Sequence, residues 1–218
     1  MTFEQIKNSP EINVYIKEAD KSLSAMGYTE HSLAHVSKCV SVVTYILEEL
    51  GYDEHTVELA KIAAYMHDIG NVVNRVNHAQ NGAIMAFRIL DKMGMAPEDV
   101  AGVVTAIGNH DESAAYPVNA IAAAVILGDK TDVRRTRVRR GAKISEDIHD
   151  RVNYAVEKSE VVLDTDKKEI TLSLKVDPAI CSVMEYFEIF LNRMVLCTKA
   201  AEFFGLRFRL RINGNILL

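Results

Sequence analysis

Apolar residues first change their period near residue 158, and that change limits the architectures open to this chain. Ahead of it, segment after segment repeats at helical spacing. Ser9-Pro10 is an N-cap followed by proline at the first helical position, predicting a helix through about Leu23. In HVSKCVSVVTYILEEL, His35 to Leu50, a stripe of Val36, Val40, Val43 and Leu47 is closed by Gly51. Asp53 caps EHTVELAKIAAYMHDIG, predicted helical to Gly70. Further helices are expected over Asn77 to Met93, from Pro97 to Asn109 and His110, and over Asn119 to Thr131. The last is apolar on most faces, which predicts a central helix. Beyond the change, EVVLDTDKKEITLSLKV holds two strand-like runs about an Asp-Lys-Lys turn, residues 178 to 204 return to helical spacing, and LRFRLRING alternates again.

These patterns predict a mostly α fold: a helical domain over residues 1–158, then a small ββαβ appendage over residues 159–218 with an antiparallel sheet covered by one helix. The 218 residues, 49% hydrophobic and 25% charged, are enough for such a core. No apolar run approaches the roughly 20 residues of a membrane span. The first twenty residues carry no basic-then-apolar export signal. Cys39, Cys181 and Cys197 are scattered and odd in number, so no disulfide framework is implied, and a cytoplasmic location is expected. Charge is uneven, −8 for Met1 to Gly128 and +3 for Asp129 to Leu218. Such a balance argues against a general nucleic-acid binder. The apolar helix at 178–204 is a candidate homodimer interface.

Histidines and acids recur in order: His35, the doublet His67-Asp68, His78, His110 and Asp129, each in or at the edge of a different predicted helix. Imidazole nitrogens with carboxylate oxygens make a mixed donor set suited to divalent Fe, Mn, Co, Ni or Zn. A helical bundle can bring such side chains to one interior point. A cation there would offset the cost of burying Asp68 beside His67. His55 and His149 sit in charged surroundings and are expected to be solvated.

With its upstream histidine and downstream aspartate, MHDIG resembles the signature of the HD-domain metal-dependent phosphohydrolase superfamily. The resemblance runs over about residues 29 to 135 and includes NHAQNGAIMAFRIL, VVTAIGNHDE and AAAVILGDKTD. It implies an HD-domain helical bundle in which His35, His67, Asp68 and Asp129 hold one metal. His78 and His110 match the two further histidines of dinuclear members, where Asp68 would bridge two ions, Fe or Mn foremost, with Zn, Ni, Co or Mg as alternatives. His31, one helical turn before His35, could also be the first ligand; His35 fits the family spacing better, which leaves His31 for substrate, a supporting role or a third metal. HDESAAYP is similar to a stretch of cyclic-dinucleotide phosphodiesterases, but their Gly-Tyr-Pro is here Ala115-Tyr116-Pro117 and their frequent lysine after HDIG is Asn71. A looser similarity is to symmetrical dinucleoside tetraphosphate hydrolases.

The resemblance implies a phosphohydrolase acting on a small phosphorylated metabolite, a nucleotide in particular, with His67 and Asp68 at the catalytic centre. Its alternatives are a cyclic-dinucleotide or dinucleoside-polyphosphate phosphodiesterase, or a metal-containing nucleotide-binding module with little turnover. Two cations would activate water and clamp phosphoryl oxygens. Lys130, beside the last ligand, and Arg134 and Arg135, in the run RRTRVRRG, are candidates to hold substrate phosphate, as is Arg75. That run could instead pair with Asp132, Glu146, Asp147 and Asp150. Arg207, Arg209 and Arg211 read first as the polar face of a strand.

Overall fold

A computed structural model describes residues 1–142 and 144–218. Its helices begin where side chains can satisfy the first free amides. α1 (Phe3–Lys7) starts with a Thr2–Gln5 capping box, and Ser9 caps α2 (Pro10–Ala25). Ser32, Asp53 and Asn119 accept from backbone amides to start α3 (Leu33–Glu49), α4 (Glu54–Met66) and α7 (Ala120–Lys130). Between the latter two lie α5 (His78–Lys92) and α6 (Pro97–Gly108), the second opened by proline. α8 (Ile148–Ala155) runs directly into β1 (Val156–Asp164), which pairs with β2 (Glu169–Val176). α9 (Val183–Phe203), with a Ser182–Glu185 capping box, connects β2 to β3 (Arg207–Ile212), and β4 (Asn215–Ile216) ends the chain's regular structure.

Two expectations need correction. α4 stops at Met66 rather than Gly70, and a 3-10 helix, Ile69–Val72, follows. The physical reason is the approach of α5. A Cβ on Gly70 would lie 2.0 Å from the His78 carbonyl oxygen and 2.4 Å from the Gly82 nitrogen, so only glycine admits the crossing. The sheet is also mixed rather than antiparallel. Its order is β1-β2-β3-β4, with β2 and β3 parallel (Ile170 opposite Phe208, Leu172 opposite Leu210) and the outer pairs antiparallel. A helix of α9's length carries the chain back along the sheet, so β3 enters in the same direction as β2.

Two apolar clusters form the interior. The first joins α2 to α7, with Ile12, Val43, Ile62, Met66, Leu90 and Val125 at its centre. The second lies between the sheet, α9 and the other side of α3 and α7, taking in Ile46, Ala123, Leu127, Leu172, Tyr186, Phe190 and Leu210. α7 is buried from Ile121 to Lys130 and contributes to both clusters. Its apolar character on all sides follows from being packed on all sides. On the sheet, Ile170, Leu172, Leu174, Phe208, Leu210 and Ile212 point inward. Arg209 on the other face pairs with Glu169 at 2.9 Å. Among the described residues no helix is long and apolar enough to cross a membrane.

Candidate metal centre

His67 is the C-cap of α4, and Asp68 follows it into the 3-10 helix. The end of that helix thus delivers both side chains to the interior, where α3, α5, α6 and α7 supply the rest. His35 comes from α3, His78 opens α5, His110 follows α6, and Asp129 lies in the last turn of α7. The structure brings these six side chains to one hollow. All are buried, with Asp129, the most exposed of them, retaining 8%.

Hydrogen bonds at the backs of the rings set how the histidines face. His67 Nδ1 donates to the Ala64 carbonyl (2.8 Å), His110 Nδ1 to Ile107 (2.6 Å) and His78 Nδ1 to Arg75 (3.0 Å). His35 Nδ1 meets Asp132 Oδ2 at 2.7 Å. Each ring therefore turns Nε2, with its lone pair, toward the hollow, as metal-ligating histidines do. Asp68 sits between two groups of rings. Its Oδ2 lies 3.3 Å from His67 Nε2 and 3.8 Å from His35 Nε2, whereas Oδ1 lies 3.5 Å from His78 Nε2 and 3.8 Å from His110 Nε2. Asp129 Oδ1 completes the first group, 3.4 Å from His35 Nε2 and 3.8 Å from His67 Nε2.

Two observations test whether these residues fit a cation. His67 Nε2 and Asp68 Oδ2 are buried and find no hydrogen-bond partner. A buried, unpaired carboxylate oxygen is costly unless a positive charge faces it. In addition, His78 Nε2 and His110 Nε2 lie 3.2 Å apart while both rings donate from Nδ1 to carbonyls. Two lone pairs pointed at each other repel, and a cation between them reverses the sign. Donor atoms of His35, Cys39, His67 and Asp129 lie within 4.8 Å of one another, as do those of His67, Asp68 and His110. The residues present fit divalent metal.

The electrostatics agree with this geometry. Burial works against charge on Asp68 and Asp129, but His67 beside the first and Lys130 beside the second hold both carboxyls well below the usual range. Burial pulls His110 down to about 3 and lowers His78, so both rings remain neutral ligands at pH 7. His67 is the exception. Burial opposes its protonation, yet the Asp68 and Asp129 charges outweigh this and raise its pKa, so metal would compete with a proton there.

Two residues support the hollow in roles that sequence reasoning did not assign to them. Asp132, three residues after Asp129, orients His35 and is itself held by Arg134 Nε at 2.7 Å. Asn71 donates to Asp68 Oδ1 and to the Asp68 carbonyl, both at 2.9 Å. The GDKTD spacing was the available signal for Asp132; nothing local marked Asn71 as an orienting residue.

A cavity of about 480 Å³ opens beside the hollow, lined by Tyr28, His31, Arg75, Glu112, Ile189 and Arg193 among others. His31 stands with its ring centroid 5.4 Å from that of His35, and Arg75 Nη1 lies 3.4 Å from His78 Nε2. Lys130 is buried, 2.6 Å from Asp129 Oδ2 and 3.4 Å from Glu112 Oε1. Arg134 and Arg135 do not reach this cavity. Arg134 is engaged by Asp132 and Glu30, and Arg135 Nε binds the Tyr154 carbonyl while its guanidinium stacks on the Tyr154 ring. Both line a separate groove with Lys38 and Lys158. Arg137 and Arg139 instead fasten the 28–30 segment through the carbonyls of Glu30, Tyr28 and Thr29. Arg134, Arg135, Arg137 and Arg139 are thus each engaged with a neighbouring carboxylate or carbonyl. Tyr116 is exposed and shares a different groove with Lys199 and Phe203. His55 and His149 are exposed, His55 pairing with Asp99 at 2.7 Å.

Comparison with known proteins agrees with the site. Residues 32–133 match the HD domain family, a span that includes all six converging side chains. The chain is 23% identical over 197 residues to the uncharacterized protein MJ1020 of Methanocaldococcus jannaschii, covering 80% of this chain and 75% of that one. It is also similar to the crystal structure of a predicted HD superfamily hydrolase from an uncultured Thermotogales bacterium. That likeness has 26% identity and a TM-score of 0.46, over 57% of this chain and 67% of the other. With the HDIG doublet at the end of α4 and five helices feeding one metal-ready hollow, the 32–133 portion of the chain is similar to the HD domain family.

Proposed function

We propose that this chain is a metal-dependent phosphohydrolase of the HD-domain type, that it cleaves a phosphate ester or anhydride of a small phosphorylated metabolite, a nucleotide in particular, and that it works with two transition-metal ions, Fe or Mn. One observation carries the two-ion reading: the two oxygens of Asp68 face different histidine groups, Oδ2 toward His35 and His67 and Oδ1 toward His78 and His110. Asp68 would bridge; His35, His67 and Asp129 would complete one position, and His78 and His110 the other. When bound, such a pair activates water at neutral pH and neutralises charge on phosphoryl oxygens.

The chain's own residues would do the rest. Asn71 orients Asp68, and Asp132 orients His35. Arg75 is half-buried at the mouth of the hollow, touching Asn71 and His78, and no carboxylate pairs with it among the described residues. A cation so placed is suited to hold a phosphate oxygen next to the metal positions. Lys130 keeps Asp129 ionised and adds positive charge behind the site. The neutral His31 ring donates Nδ1 to the Thr29 carbonyl at 2.7 Å, leaving Nε2 available to substrate.

Metal analysis of the purified protein, with a screen of phosphomonoesters, phosphodiesters and nucleotides, tests this reading. The expected result is two ions per chain and hydrolysis that His67→Ala and Asp68→Ala both abolish. Full metal occupancy without any hydrolysis sensitive to those substitutions would overturn it in favour of a nucleotide-binding module.

A further inference from the structure

The lining of the cavity beside the metal centre comes from different parts of the chain, including Asp147 and His149 at the start of α8. The helical portion supplies Arg75 and Tyr28, with the Arg75 guanidinium 5.5 Å from the Tyr28 ring centroid. From α9 come Ile189 and Arg193. Arg193 stacks on Phe190, 4.6 Å from that ring's centroid, and its Nε lies 2.8 Å from Glu112 Oε1. Glu112 in turn reaches Lys130, and Lys130 reaches Asp129. Arg193 is therefore held by the face of its guanidinium and by Nε, and it stands at the far end of a charge chain that begins at a predicted ligand. Gripping a guanidinium at Nε leaves its outer nitrogens for other acceptors.

We infer that Arg193 determines substrate specificity. Together with Arg75 it makes an anion clamp, for a substrate that carries a second anionic group beyond the phosphoryl group at the metal centre. A nucleoside diphosphate is one compound of this kind, and its base would suit the aromatic wall of Tyr28. The cavity, at about 480 Å³, falls within the range of small-ligand sites and has an aromatic wall in Tyr28 and an apolar one in Ile189. Arg75 lies beside His78 and serves the group at the metals; Arg193, in the same lining but on α9, serves the second. Because Arg193 belongs to α9, the C-terminal unit is part of the substrate site and not only a support for it. The substrate assignment rests on the proposed function; the anion clamp does not.

The test is binding, measured by calorimetry on the Mn-loaded full-length protein with ADP and with orthophosphate as separate probes. Orthophosphate needs only the metals and Arg75, whereas ADP also reaches Arg193. Arg193→Gln keeps a polar side chain on α9 but removes the charge. It is expected to raise the ratio of the ADP to the orthophosphate dissociation constant by about 10- to 100-fold, the usual weight of a charge-assisted hydrogen bond. Arg193→Lys should recover part of that loss, and Arg207→Gln, on the exposed sheet face, should leave the ratio as it was. An unchanged ratio in Arg193→Gln, or no ADP binding by the wild type, overturns the inference. If the ratio rises but no phosphate compound is ever hydrolysed, the clamp stands and the hydrolase reading of the site fails. If hydrolysis occurs with an unchanged ratio, the clamp fails alone.

Discussion

Gly70 shows how closely the backbone is fitted around the metal centre. The helix α5 passes so near that any side chain there would meet backbone atoms of His78 and Gly82, which cannot swing aside as a flexible side chain could. Gly70→Ala should therefore displace α5, cost about 1–3 kcal/mol or more, and move His78 out of line. A thermal melt together with metal stoichiometry checks this; wild-type stability with full metal content would contradict it. Asp132 acts at the same scale by a different route. It accepts from His35 Nδ1 and sits against Arg134 and Arg137, so its carboxyl is held below the ordinary range. Asp132→Asn should leave the fold in place but weaken metal binding by about 10- to 100-fold, because the ring loses the carboxylate that orients it. Metal titration monitored by calorimetry is the measurement. The ligand series itself was legible in the sequence because its members lie at helix ends, where ordered polar residues in an apolar context stand out. Asn71, Glu112 and Arg193 were not legible, since each is an ordinary polar residue until the chain folds.

Among the elements, helix starts were read most directly. Ser9-Pro10, Asp53 and Asn119 signal where a helix begins because the cap is a local bond between a side chain and an amide two or three residues on. For α9 the same chemistry predicts that Ser182→Ala costs about 1 kcal/mol. In a chain of this length that is a fall of roughly 2–4 °C in melting temperature. A larger loss is expected within α9. Phe190 is 1% exposed and packs edge-on to Tyr186 at 5.2 Å, so Phe190→Ala should cost about 3–5 kcal/mol. Because Phe190 also backs Arg193, differential scanning calorimetry should show the loss alongside weaker nucleotide binding. The direction of β3 was not legible. Alternation in LRFRLRI reports which residues face inward, and it does so identically for parallel and antiparallel neighbours.

For the whole molecule, stability and site formation should be coupled through metal. Removing the ions with a chelator is expected to lower the melting temperature, since ligands that bind only the folded state stabilise it by about 2.7 kcal/mol at a hundredfold excess over the dissociation constant. Re-addition of Mn should restore it; no shift in either direction would mean the hollow does not hold metal in solution. The chain is also joined across its two clusters by α7, whose Ala123, Ile126 and Leu127 pack against the C-terminal sheet and helix. The sequence by itself determined the helical character, the position of most caps, the inward faces of the strands and the ordered donors, because each depends on residues a few positions apart. Tertiary structure alone decided that Gly70 must stay bare, that Arg137 and Arg139 fasten the 28–30 segment while Arg193 from the distant α9 enters the cavity, and that β3 runs parallel to β2. Those outcomes depend on which surfaces meet across long separations in the chain, where packing and charge pairing choose among partners that local pattern leaves equivalent.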